Sequence, residues 1–431
     1  MPVVHRTWPV WVCFAAALLA AAPDARGQTS APGAAPGLID LSLLAREARL
    51  AGDHKLWLER GQRVLDLAPD HPDLLISVGR ALAANGRFDD AAIRLEDAVR
   101  RGAGFDLATF PEFKSAPETA RLRALREQAL QNMAPVAAPE VFLVLQNESL
   151  SPEGITWDPV GRQLYFGSLN GEIWRTDLNG KLERFAGPGS GLREVLGLKV
   201  DAERRLLWAV TGVFPDLLPT GEPKKDVGTT GLHAYDIGTG KRVRDCGLDE
   251  RPTVHGFNDM ALASNGDVYV SNSTDSSIYK LSAPCKLGVV MRDSAMSFPN
   301  GIALTPDGTR LYVAHVEGIS VVDVRTGKRT QLSVPKNAAV NSIDGLVWDG
   351  KDLLAIQPTP YLARVARIRL TDDGLSIREV KTMSSRPPPG LNPATGVVVN
   401  DQYYTVTNVP DGPAAPGQPQ SRPTILRSRL R

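Results

Sequence analysis

The order of apolar and polar residues changes character once along the chain. From residue 38 to about 132, apolar residues recur every three or four positions, the period of a helix with one buried face. The clearest stretch is PDLLISVGRALAANGRFDDAAIRLEDAVRRG (72–102), with one apolar face, a break at Gly86 and a second apolar face. It predicts two helices joined by a tight turn. From about 139 the period falls to two. Short apolar alternations bounded by Gly, Pro, Asn and Asp predict strands and turns. Residues 28–37 (QTSAPGAAPG) are small and Pro/Gly-rich and read as a linker. The expected organisation is a helical part over 38–135 followed by a strand-built part over 136–431.

Within the helical part, Leu75, Val78, Gly79, Leu82, Ala91, Leu95 and Ala98 sit where a tetratricopeptide repeat places its packing residues. Gly79 and Ala91 are small enough to let paired helices approach closely. Residues 38–71 fit a first, weaker repeat, and 104–132 fit a degenerate third unit or a cap. Such an array could bind a peptide or protein partner, or it could pack on its neighbour or form a dimer contact. Fewer than three units are only marginally stable alone, which favours docking.

The strand-built part contains a ladder: EGITWD (153–158), LGLKVD (196–201), NDMALA (258–263), NGIALT (300–305), DGLVWD (344–349) and TGVVVN (395–400). Each is followed by a turn and a second strand. Their second residues, at 154, 197, 259, 301, 345 and 396, are spaced by 43, 62, 42, 44 and 51. A period of 40–50 residues with several strands per unit predicts a β-propeller, here with six blades. The wide gap holds GVFPDLLPTGEPKKDVGTTG (212–231), a long loop of the kind that often covers a site. EVFLVL (140–145) and TILRSRL (424–430) lie outside the ladder, and pairing them in one blade would remove the open edges.

Composition narrows the partners. The 431 residues carry a net charge of +1, which gives no electrostatic reason to expect nucleic acid. Residues 1–27 have the form of a secretory signal. His5 and Arg6 precede the apolar run WPVWVCFAAALLAAA (8–22), and Ala25-Arg26-Gly27 gives a cleavage site before Gln28. The run is about 15 residues, short of the ~20 that span a bilayer. The expected location is exported, periplasmic or secreted, with no membrane span in the mature chain. Cys246 and Cys285 then remain, as one disulfide or as two buried thiols.

In a propeller the residue opening each innermost strand points to the central axis. Those residues are Glu153, Leu196, Asn258, Asn300, Asp344 and Thr395. Four of them, Glu153, Asn258, Asn300 and Asp344, bear carboxylate or amide oxygens that would converge on one point. Two carboxylates and two amides suit a hard divalent cation, Ca²⁺ first, with Mg²⁺, Mn²⁺ or Zn²⁺ as alternatives. The Gly that usually follows is explained by crowding at the channel mouth, or by the backbone angles that Gly permits.

The motifs SPEGITWD, GFNDMAL, FPNGIALTPDGTRLYVA and SIDGLVWD resemble those of the regucalcin/gluconolactonase-like six-bladed propellers, and more distantly the paraoxonases. The resemblance covers about 139–431. It implies one divalent metal on Glu153, Asn258, Asn300 and Asp344, and hydrolysis of lactones or related esters. It further implies that the metal polarises the carbonyl and that Asp344 activates water. No match is found for the Arg with which gluconolactonase-type members hold a sugar acid, so a sugar lactone is not implied. His255 is a candidate for proton transfer, and His315 a weaker one. Asp259 stands where Gly is usual and is expected to hold a neighbouring loop. Asn272 and Asp275 are candidates for the pocket wall. Trp157 and Trp348 occupy matching slots and are expected to pack between blades.

Two function classes follow. One is an exported, metal-dependent hydrolase of a small-molecule lactone or ester. The other is a non-catalytic, metal-stabilised propeller that binds a ligand or a protein partner through its helical repeats.

Overall fold

Residues 37–215, 224–408 and 421–430 are described by the structure, a computed structural model. The expected secretory leader, nearly all of the expected linker and the middle of the 212–231 insertion lie outside them. No helix among the described residues is long and apolar enough to cross a membrane.

The helical period yields α1 (Leu38–Leu50), α2 (His54–Leu67), α3 (Pro72–Ala84), α4 (Phe88–Arg100) and α5 (Ala120–Gln131). Asp53 caps α2 by accepting from Leu56 N–H at 2.9 Å, and Thr119 caps α5 through Leu122 N–H at 3.2 Å. Gly86 turns the chain between α3 and α4 at φ +73°, as its place between the apolar faces predicts. A Cβ on Gly79 would lie 2.9 Å from Leu95 Cδ2 and 3.3 Å from Ala91 O, so this helix pair requires glycine for its close approach.

Among the described residues the strand period yields 24 strands in six four-stranded antiparallel sheets. In blades one to five they run in chain order: β2–β5, β6–β9, β10–β13, β14–β17 and β18–β21. Blade six is β22 (Asn392–Val399), β23 (Gln402–Asn408), β24 (Thr424–Arg429) and β1 (Glu140–Val144). The last strand pairs with the first, Arg427 opposite Glu140, so the ring closes where the two unassigned runs predict. Cys246, in β9 (Arg242–Leu248), and Cys285, just before β13 (Lys286–Arg292), form a disulfide with Cα atoms 5.3 Å apart, tying blade two to blade three.

The helices dock on the propeller. One apolar cluster contains Leu75, Ile76, Phe105 and Phe110 of the helical part with Phe214, Phe257, Phe298 and Val316 of the blades. Tyr361 meets Phe105 and Phe110 edge-on, at 6.1 and 6.4 Å between centroids. Backbone and side-chain hydrogen bonds fix the orientation. Gly104 N–H donates to Tyr361 O at 2.9 Å, Val136 and Ser385 exchange bonds, and Arg386 Nη2 donates to Asn132 O at 3.2 Å. Of the roles open to the helical array, packing on its neighbour is therefore realised.

Candidate metal centre

The ladder residues do not simply open their strands. They sit in a β-bulge at the same place in every blade. In β2 (Pro152–Asp158) Pro152 faces Ser168 and the next pair is Ile155 with Phe166, so Glu153 and Gly154 oppose a single residue. The register shifts in the same way between Val195 and Leu198, Phe257 and Met260, and Pro393 and Gly396. In blade four Asn300 N–H donates to Ala314 O while Ala314 N–H donates to Gly301 O. Asp344, Gly345 and Ile356 repeat that pattern in blade five. A bulge re-aims side chains, and here it turns one residue per blade toward the axis.

The glycines next to these residues are there for space. A Cβ on Gly154 would run into Leu196 O and one on Gly301 into Asp344 O; on Gly197 it would lie 2.8 Å from Asn258 O. None of the three has a positive φ, so of the two reasons given for these glycines, crowding is the one that holds. Asp259 replaces glycine in blade three. Its Oδ2 accepts from Ile302 N–H at 3.2 Å, tying blade three to the inner strand of blade four. Thr395 donates to Glu153 O and completes the ring.

Glu153, Asn258, Asn300 and Asp344 are 2, 5, 7 and 3% exposed. Asn408 Nδ2 donates to Glu153 Oε2 at 3.2 Å, and Asn258 Nδ2 to Ser273 Oγ at 3.1 Å. Asn300 Nδ2 donates to Asp344 Oδ1 at 2.9 Å. The remaining oxygens of that pair, Asn300 Oδ1 and Asp344 Oδ2, are buried without a hydrogen-bond partner. Burial pushes the Glu153 carboxyl up to about 8. Asp344 is pushed well above the usual carboxylate range by burial first and by the nearby charge of Glu153 second. Neither carboxylate has an ion-pair partner among the described residues. A buried acidic pair with vacant oxygens is costly unless a cation or protons neutralise it. The donor set fits a divalent ion with oxygen ligands. Among the described residues no three His, Cys, Asp or Glu side chains are grouped so that they could hold a metal ion, so the set depends on its two amides.

The other candidates fall elsewhere. His255 is 1% exposed. Its Nδ1 accepts from Asn272 at 3.0 Å and its Nε2 lies 3.0 Å from Glu250 Oε2, so neither nitrogen is bonded to one of the four residues. Asn272 also accepts from Gly256 N–H at 2.9 Å, which holds the segment leading to Asn258. Asp275 pairs with Arg292 at 2.8 Å. His315 lies between Glu317 and Ser320, at 2.8 and 2.9 Å, in the order of a hydrolase triad. Ser320, however, is wholly buried and accepts a bond from Arg329 at 3.0 Å, which makes the trio a brace inside blade four. Trp348 stacks on Tyr312 at 5.6 Å, and Trp157 packs in the cluster shared by blades six and one. Of the insertion, Phe214 is buried 6.4 Å from Phe298, and Lys224 pairs with Glu194 at 2.8 Å.

Two residues that support the site were missed from sequence, Asn408 and Ser273. A signal existed. YTVTN, ending at Asn408, parallels YVSN, ending at Asn272, at the close of the second strand of its blade.

No protein-family model matches the chain, and no curated protein does. Among solved structures it is similar to a gluconolactonase from Xanthomonas campestris (17% identity, 69% of this chain and 97% of that one, TM-score 0.47). It is also similar to regucalcin, a calcium-binding protein from Agrobacterium tumefaciens (18%, 68% and 97%, 0.46). A third is a virginiamycin B lyase from Staphylococcus aureus (15%, 67% and 97%, 0.44). At these identities the likeness is one of fold.

Proposed function

We propose that the chain is an exported, divalent-cation-dependent hydrolase of a lactone or ester. Glu153, Asn258, Asn300 and Asp344 would hold the cation, Ca²⁺ first among the candidates. The observation that supports this most is the buried, partnerless pair Asn300 Oδ1 and Asp344 Oδ2 beside a second buried carboxylate. The choice of lactone or ester rests on the motif resemblance set out above. When bound, the cation supplies a Lewis acid for the carbonyl oxygen.

The residues have separate tasks. Asn408 orients Glu153, and Ser273 turns the amide of Asn258 so that its oxygen is left for the cation. Asn300 holds Asp344 through Oδ1, which leaves Oδ2 free. That oxygen has two lone pairs and can serve both the cation and a water. Water oxygen adds to the carbonyl carbon as Asp344 takes its proton. The C–O bond to the leaving oxygen then breaks, and Asp344 returns the proton to that oxygen, giving a hydroxy acid or an acid and an alcohol.

The test is turnover of a panel of lactones and aryl esters, with and without chelator, alongside calorimetric cation binding. Asp344→Asn should keep the fold and lower turnover by roughly 10²–10⁴-fold. Bound cation with no cation-dependent turnover on any member would overturn the hydrolase reading. A second reading, a non-catalytic protein with a structural ion, draws on the depth of the four side chains and on the helices docked over the loop that carries Asp344. Under it, Asp344→Asn would cost folding and the panel would stay silent.

A further inference from the structure

The hydrogen bonds between helices and propeller converge on blade five, and two of them grip the loop that delivers Asp344. Arg101, held by Asp70 at 2.6 Å, donates to Ala338 O at 3.1 Å. His71, the cap of α3, lies 2.8 Å from Ser342 Oγ through Nε2. The tautomer follows from the geometry. His71 Nδ1 accepts from Asp73 N–H at 3.3 Å and so carries no proton, which leaves Nε2–H to donate to Ser342. The contact is sealed, with His71 only 1% exposed.

Ser342 is two residues before Asp344 and has φ +48°, in the left-handed region that residues other than glycine enter only when their surroundings hold them there. Phe298, two residues before Asn300, has φ +53° and is buried in the apolar cluster shared with the helices. The same backbone device thus precedes two adjacent axial residues. In blade five the residue's own side chain is bonded from the other part of the chain, while Gln357 Nε2 holds the preceding carbonyl, Asn341 O, at 2.9 Å.

We propose that His71 is a positioning residue: by fixing Ser342 in the left-handed conformation it sets the direction in which Asp344 leaves its loop, and Arg101 secures the loop's other end. The docked helices are then part of the axial site. The proposal rests on the reading of Asp344 as cation ligand and base.

Hydrogen exchange of the full chain, read by mass spectrometry without added metal, tests the positioning itself. The variants are His71→Ala, Ser342→Ala and His71→Gln, the last of which keeps a donor. Exchange over 336–346 should rise roughly two- to tenfold in the two alanine variants, the effect of one lost hydrogen bond. His71→Gln should stay near wild type, and peptides carrying Glu153 and Asn258 should not change. The Ca²⁺ dissociation constant should rise by a similar factor in the alanine variants. Should His71→Ala fail to fold, Ser342→Ala decides, since its change is confined to the loop. Unchanged exchange over 336–346, no rescue by Gln, or faster exchange with an unchanged Ca²⁺ constant would overturn the proposal. If the wild type binds no cation, the axial reading falls, while the exchange data still decide whether His71 positions the loop.

Discussion

Replacing Glu153 by Gln should stabilise the cation-free protein at pH 8 and leave it nearly unchanged at pH 4. Glu153 is 2% exposed, and burial raises its carboxyl from 4.5 to about 8. The folded state therefore prefers the protonated acid. Below pH 4.5 the group costs nothing, and the penalty for burying its charge grows as pH rises from 4.5 to 8. At about 1.36 kcal/mol per pH unit, it reaches about 3 kcal/mol at pH 7. Gln has the same shape, can still accept from Asn408 and carries no charge. Removing the charge also relieves Asp344, with the same sign. The assay is thermal unfolding of both proteins, stripped of divalent ions, from pH 4 to 8. The curves should nearly coincide at pH 4 and separate steadily above pH 4.5, and Ca²⁺ should reverse their order at pH 8 by binding the wild type more tightly. A difference that does not vary with pH would mean that Glu153 is not a buried, uncompensated acid.

Gly301→Ala forces a Cβ into Asp344 O and should cost roughly 1–3 kcal/mol in denaturant unfolding while weakening cation binding. Gly247→Ala, where a Cβ would meet nothing within 4 Å, is the control and should be neutral or slightly stabilising. Asp73 is buried in the interface between helices and propeller, and burial raises it from 3.8 to about 7. Its stability penalty appears as pH rises from 3.8 through 7, so Asp73→Asn should melt higher than wild type at pH 8, with the gap closing toward pH 4.

Much of the architecture was legible because it repeats. Six copies of one apolar alternation, with two stray strands left over, specify the blade count and the closure of β24 on β1. The bulge was not legible, since a register shift belongs to a pair of strands and neither strand shows it alone. Asn300-Gly301 therefore resembles a hairpin turn in sequence and is half of a bulge in the fold. The four axial residues were visible as a column of oxygens, but Asn408 and Ser273, which orient two of them, sit at or just past the ends of second strands, and their contacts arise only when the strands pair. The pairing of Cys246 with Cys285 depends on a Cα separation of 5.3 Å that no spacing along the chain provides. His71 carries no sequence signal for its contact with Ser342, 271 residues away. Only docking of the helices brings the two together.

A cation at the propeller axis is what the proposed chemistry requires, and anomalous scattering from crystals grown with Mn²⁺ would locate it. One peak should lie on the axis, about 2.0–2.6 Å from oxygens of Glu153, Asn258, Asn300 and Asp344, and be lost in Glu153→Gln. An axis without a peak at saturating Mn²⁺, with Asn300 and Asp344 still bonded only to each other, would contradict that chemistry.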